Sequence, residues 1–112
     1  MKKLASICAG LFLILSTAAF AAEDHAAEAL SHAKAAVEHG KAGHPPVLVE
    51  HAKLALEHTL AGSLVAHGKA KNHLDAAAQS LQDAIDQGGL DQTAPATKSA
   101  EEAVEHIKAS SK

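Results

Sequence analysis

HAKAAVEHGKAGHPPVLVEHAKLALEH, residues 32–58, holds the end of one helix pattern, a bend, and most of a second helix pattern. Upstream of the bend, Ala26, Leu30, Ala33 and Val37 recur at steps of 4, 3 and 4, the spacing that lines up side chains on one face of an α-helix. Gly40 and Gly43 are expected to stop this helix. Pro45-Pro46 are expected to open the next, because the N–H that proline lacks has no partner in a first turn. Val49, Ala52 and Leu56 then repeat the apolar stripe, and Gly62 is the expected end.

The two helices read as copies. LSHAKAAVEHGKAG at 30–43 aligns with VEHAKLALEHTLAG at 49–62, an offset of 19, with eight of 14 positions identical. A second hairpin follows at an offset of 48, where Gly40 corresponds to Gly88 and Leu56-Glu57-His58 to Val104-Glu105-His106. Residues 62–68 read as a longer connection, Asn72 as the N-cap of a third helix, and the segment around Pro95 as a loop before a fourth. Ala77, Leu81, Ala84 and Ile85 face inward on the third helix, and Ala100, Ala103, Val104 and Ile107 on the fourth. The expected fold is all-α, an up-and-down four-helix bundle built from two helical hairpins over residues 22–112, with a core of small side chains.

Residues 1–21 read differently. A basic start (Met1-Lys2-Lys3), an apolar run from Leu4 to Leu15 and a small-residue end at Ala19-Phe20-Ala21 have the order of a secretory signal peptide. Export to the periplasm is expected, with no stable membrane association after cleavage. Cutting after Ala21 leaves about 91 residues without Cys, Met, Phe, Tyr or Trp, so no disulfide supports the domain. A cut after Ala22 would instead put His25 third from the free amine, a position that forms a tight Cu(II) or Ni(II) chelate with backbone nitrogens. The loss of Lys2 and Lys3 takes the net charge from −3 to −5 with histidine neutral. That balance, with no arginine, argues against a nucleic-acid partner and favours cations.

Five of the nine histidines lie in the opening stretch: His32, His39, His44, His51 and His58, at gaps of 7, 5, 7 and 7. Seven residues are nearly two helical turns, so His25, His32 and His39 share one side of their helix, about 10.5 Å apart in rise. That is too far for neighbours on one helix to share an ion, since zinc–imidazole bonds are about 2.0–2.1 Å. The hairpin supplies the partners. His39 with His44, His32 with His51 and His25 with His58 mirror about a point between Lys41 and Ala42, inside the bend. These pairs are expected along an outer, part-wet seam, roughly a quarter-turn from the apolar stripe.

Glu28 stands one turn before His32, and Glu102 one turn before His106. Imidazole with carboxylate suits Cu(II), Ni(II) and Zn(II), with affinity generally peaking at copper. In the second hairpin only the outermost pair survives, His73 with His106. His32, His39, His44 and His51 correspond to Ser80, Gln87, Gln92 and Ser99. His25, His58, His73 and His106 should lie near one end of the bundle, the one place where both hairpins could contribute ligands. His67 has no mirror partner and reads as a solvated side chain.

At HAKAAVEHGKAGH (32–44), VEHAKLALEH (49–58), LQDAIDQG (81–88) and AVEHIKAS (103–110) the chain resembles the small metal-binding protein family of exported, histidine-rich four-helix bundles. The resemblance implies reversible binding of several divalent ions, copper above all, in periplasmic metal handling. It carries to His32, His39, His44, His51, His58 and His106. The chain departs from the family pattern at Ser80, Gln87 and Ser99, which implies fewer ions, concentrated in the first hairpin.

The expected function is therefore a periplasmic divalent metal-binding protein for buffering, storage or delivery. Copper (Cu²⁺) is preferred, with nickel or zinc as further ions, and the protein partner is unknown. Affinity should fall as pH drops through about 6.5, because ligation needs neutral imidazole. The rival readings are a pH-responsive helical bundle with a chaperone-like surface and a structural bundle that binds another protein. No haem-attachment motif and no assembly of nucleophile and base points to an enzyme.

Overall fold

A computed structural model of the chain describes residues 21–112, so the stretch read as a signal peptide lies outside the described residues except for Ala21. The described residues form four helices and no strand: α1 (Ala21–Lys41), α2 (Pro45–Val65), α3 (Gly68–Gly89) and α4 (Thr93–Ser110). Each helix packs on the next, and α4 returns against α1. This is the expected up-and-down bundle of two hairpins. No helix among the described residues is long and apolar enough to cross a membrane.

The first hairpin turns within three residues, and the hydrogen bonds explain how. His44 N–H donates to the His39 carbonyl at 2.9 Å and Gly43 N–H to that of Gly40 at 3.1 Å. Gly43 sits at φ +81°, a left-handed conformation that glycine adopts without a Cβ penalty. This pattern closes a helix C-terminus by occupying its last free carbonyls. The second hairpin repeats it 48 residues later: Gln92 N–H donates to the Gln87 carbonyl at 2.9 Å and Asp91 N–H to that of Gly88 at 3.1 Å. There the left-handed residue is Asp91, at φ +59°.

The core is made of small side chains. Ala26, Ala29, Ala33 and Ala36 are the buried residues of α1 with Gly40, while Leu30 and Val37 sit half-buried at its edge. On α2 the buried line is Leu48, Ala52, Ala55 and Thr59 rather than the expected Val49 and Leu56, which flank it. Leu48, Leu74, Leu81 and Ile107 are the large apolar side chains fully enclosed. Close approach between helices explains the rest. A Cβ on Gly40 would overlap Thr97 Oγ1 and come within 2.7 Å of Leu48 Cδ1, and one on Gly88 would lie 2.6 Å from Val49 Cγ2. Gly40 and Gly88 thus serve contacts between helices from inside their helices.

The link between the hairpins differs from its sequence reading. α2 runs past Gly62 to Val65, and only Ala66 and His67 separate it from α3. Gly62 is buried inside the helix, where an added Cβ would lie 3.3 Å from His25 Cβ and 3.4 Å from Leu74 Cδ1. The repeat aligned it with Gly43, but its missing side chain makes room for a neighbour instead of making a turn. Asn72 is not the N-cap. α3 begins at Gly68, His67 occupies the cap position, and Asn72 is exposed within the helix. Pro95 lies in the first turn of α4 rather than in a loop, where its missing N–H is no loss.

A polar clip joins α2 to α3. Ser63 Oγ donates to the Asp75 carboxylate, and Lys71 Nζ lies 3.1 Å from Asp75 Oδ2. The Ser63 hydroxyl, and then Lys71, hold the Asp75 carboxyl below its ordinary value.

Two substitutions test this account. Asp91→Gly removes a left-handed backbone penalty of about 1–2 kcal/mol, partly offset by glycine's larger unfolded-state entropy. A net gain of about 0.5–1 kcal/mol should raise the thermal midpoint by roughly 2–8 °C. Gly40→Ala should lose about 1–2 kcal/mol in urea denaturation, because crowding Thr97 and Leu48 outweighs the better helix propensity of alanine.

Candidate metal centre

The six histidines of the first hairpin form one continuous column. From the turn to the open end the order is His44, His39, His51, His32, His58 and His25, with successive ring centroids 6.5, 5.2, 5.8, 5.9 and 5.5 Å apart. The expected pairs His39/His44, His32/His51 and His25/His58 are all close, at 6.5, 5.8 and 5.5 Å. Two contacts go beyond them. His39 stacks on His51 at an interplanar angle of 5°, and His32 on His58 at 7°.

The tilt of helical side chains accounts for these extra contacts. Every Cα–Cβ bond leans toward the N-terminus of its helix. In antiparallel helices the α1 rings therefore lean toward the open end and the α2 rings toward the turn. His32 is level with His51 in backbone height, yet its ring leans to meet that of His58 rising from below. The two combs interleave at half a step, so each interior ring faces two rings of the opposite helix. The spacing and this tilt give the direction of the offset from the sequence, while its size depends on how closely the helices pack.

Glu28, His32 and His58 each place one ligand atom within 4.8 Å of the other two. Glu28 is exposed and both rings are half-buried, so the site opens to solvent from one side. One helical turn separates Glu28 from His32, and the hairpin brings His58 across. His25 Nδ1 and His58 Nδ1 lie 3.2 Å apart. Two ligands on one tetrahedral zinc ion stand about 3.3 Å apart, given bonds of about 2.0–2.1 Å. That pair is thus spaced as for a shared ion. His51 Nδ1 is buried with no hydrogen-bond partner, beside His39 and His32. In a neutral ring such a nitrogen either carries the proton or holds the free lone pair, and nothing else in the bundle competes for it. The donor set therefore fits a divalent cation.

The second hairpin keeps the architecture and changes the chemistry. His73 and His106 form a ring pair at 6.0 Å, in the positions of His25 and His58. Gln87 and Ser99, which stand where His39 and His51 stack, are joined by a 2.8 Å hydrogen bond. With its NH₂ assigned toward Ser99, the Gln87 amide also faces the Pro95 carbonyl at 3.0 Å and that of Asp83 at 3.2 Å. Side chains so paired are turned to each other and to the backbone, and neither offers a ring nitrogen. Glu102 is exposed and does not form a close three-ligand group with His73 and His106 among the described residues. His25, His58, His73 and His106 pair within their own hairpins, and no ring pair or three-ligand group spans the two hairpins among the described residues. His67 is exposed at the start of α3.

A cleft of about 330 Å³ opens between Ala22, Val65, Leu74 and Ser110 at the end of the bundle, and no ring of the column lines it. The chemistry lies on the seam rather than in a cavity.

The profile of the family described as "Small metal-binding protein" matches residues 1–110, nearly the whole chain. No curated protein matches the chain.

The contrast between hairpins is testable by gain of ligands. Gln87→His with Ser99→His should build the missing stacked pair and raise the Cu(II) capacity by one ion per chain in equilibrium dialysis. An unchanged capacity would show that a stacked ring pair is not sufficient for a site.

Proposed function

Because the chain belongs to the small metal-binding protein family, we propose that it is an exported carrier that holds Cu(II), and less tightly Ni(II) or Zn(II), on the seam between α1 and α2. The observation that carries this reading is the convergence of Glu28, His32 and His58 from two helices onto one point of a solvent-facing seam. Imidazole and carboxylate are ligands for borderline and harder divalent ions, and affinity for such sets generally peaks at Cu(II). The chain beyond residue 21 offers no thiolate or thioether to hold Cu(I).

Reversible loading follows from exposure. Every histidine of the column is half-buried or exposed, and the Glu28 site faces solvent, so ions reach the seam from outside the core. Buffering, storage or delivery in the periplasm agrees with the basic, apolar and small-residue order of the first 21 residues. Binding also clamps α1 to α2. At a free ion concentration of 100 times Kd, one site adds about 2.7 kcal/mol to stability by mass action.

Near neutral pH, saturating Cu(II) is expected to raise the thermal midpoint by roughly 10–20 °C, and a chelator to reverse the shift. His32→Ala with His58→Ala should remove the tightest binding step in a calorimetric titration. A melt that responds to acid but not to the ion or the chelator would favour the pH-responsive bundle instead.

A further inference from the structure

We propose that the column of six rings is a single ladder with two mutually exclusive loading registers. Its first two ions sit on the pairs His32/His58 and His39/His51, and a third ion forces the whole ladder to shift by one ring. This rests on the metal-binding reading above.

The exclusivity comes from imidazole chemistry. A neutral ring has one nitrogen with a free lone pair, because the other carries N–H, so each ring serves one ion at a time. Each of the four interior rings, His39, His51, His32 and His58, has two neighbours, at separations of 5.2 to 6.5 Å. It must choose between them. In the level register the pairs are His25/His58, His32/His51 and His39/His44, which uses all six rings and holds three ions. In the shifted register they are His32/His58 and His39/His51, which uses four rings, holds two ions and leaves His25 and His44 unpaired.

Two observations favour the shifted register at low loading. His39/His51 is the closest pair of the ladder, at 5.2 Å. Glu28 adds a charged ligand to His32/His58 and to no other pair. The level register competes at His58, whose Nδ1 is 3.2 Å from that of His25. A third ion must therefore take His58 and His32 from the Glu28 site and pair both with new partners. Each ion moves by exchanging one ring while keeping the other. Loading at one end of the ladder is thus coupled to displacement along it.

The test uses purified protein titrated with Cu(II) by calorimetry, in a His73→Ala background so that only the ladder reports. The parent should bind two ions tightly and a third at least about tenfold more weakly. His25→Ala with His44→Ala removes only the end rings, which the shifted register does not use. It should lower capacity by one ion and delete the weak step alone. Three fixed rungs would lose two ions, and that result overturns the proposal. Glu28→Gln should weaken the first step and leave capacity unchanged, and a loss of capacity would count against the ladder. Three equal steps in the parent would overturn it with no variant at all. A parent that takes up no Cu(II) would instead refute the metal-binding reading itself.

Discussion

The register of α1 against α2 is the constraint on which the rest depends. Two features hold it. The Gly43 turn ties the His44 N–H to the His39 carbonyl, which leaves no freedom in how the second helix begins. The alanine line of α1, facing Leu48, Ala52 and Ala55 of α2, then lets the two backbones lie close along their length. A slide of one residue would carry each ring about 1.5 Å along the seam and rotate it by about 100°, breaking the interleaving. A core of larger side chains would separate the helices and pull the combs apart. The small core that makes apolar burial modest is thus also what brings the histidines into contact.

The second hairpin shows what that framework does without the imidazoles. Its turn has the same hydrogen bonds, with Asp91 in the left-handed place of Gly43. Its packing glycine, Gly88, stands where Gly40 does and meets α2 as Gly40 meets α4. On its seam Gln87 and Ser99 satisfy each other. One architecture therefore supports either a row of ring nitrogens open to cations or a closed polar network. Fold and ligand set are separable in this bundle, and among the described residues neither hairpin contributes a close ligand to the other.

Where sequence reading went astray, the residue type had two physical uses. Glycine can permit a left-handed turn or remove a Cβ that would clash. Gly43 does the first, Gly40 and Gly88 do the second, and Gly62 stands in tight contact with His25 from inside its helix. Nothing in a single sequence separates these uses, because the neighbour that would clash comes from a distant segment. Asn72 is a good cap residue by type, yet α3 starts four residues earlier, where the short Ala66–His67 link reverses the chain. The α1 stripe was read as Ala26, Leu30, Ala33 and Val37, of which Leu30 and Val37 lie at its edge. The bundle centres on Ala29, Ala33 and Ala36 instead, because α1 lies too close to its neighbours for larger side chains there.

The four helices, their pairing into hairpins and the histidine pairs of the first hairpin are determined by the sequence alone, since periodicity, bend residues and mirror spacing are local properties of the chain. The convergence of Glu28, His32 and His58, the stacking of His39 on His51 and the orphaned nitrogen of His51 are decided only by the tertiary structure. The physical reason is the opposite lean of side chains on antiparallel helices. It moves each ring off the level of its backbone partner by an amount that depends on how closely the helices pack, and that distance is set by contacts between residues far apart in the chain.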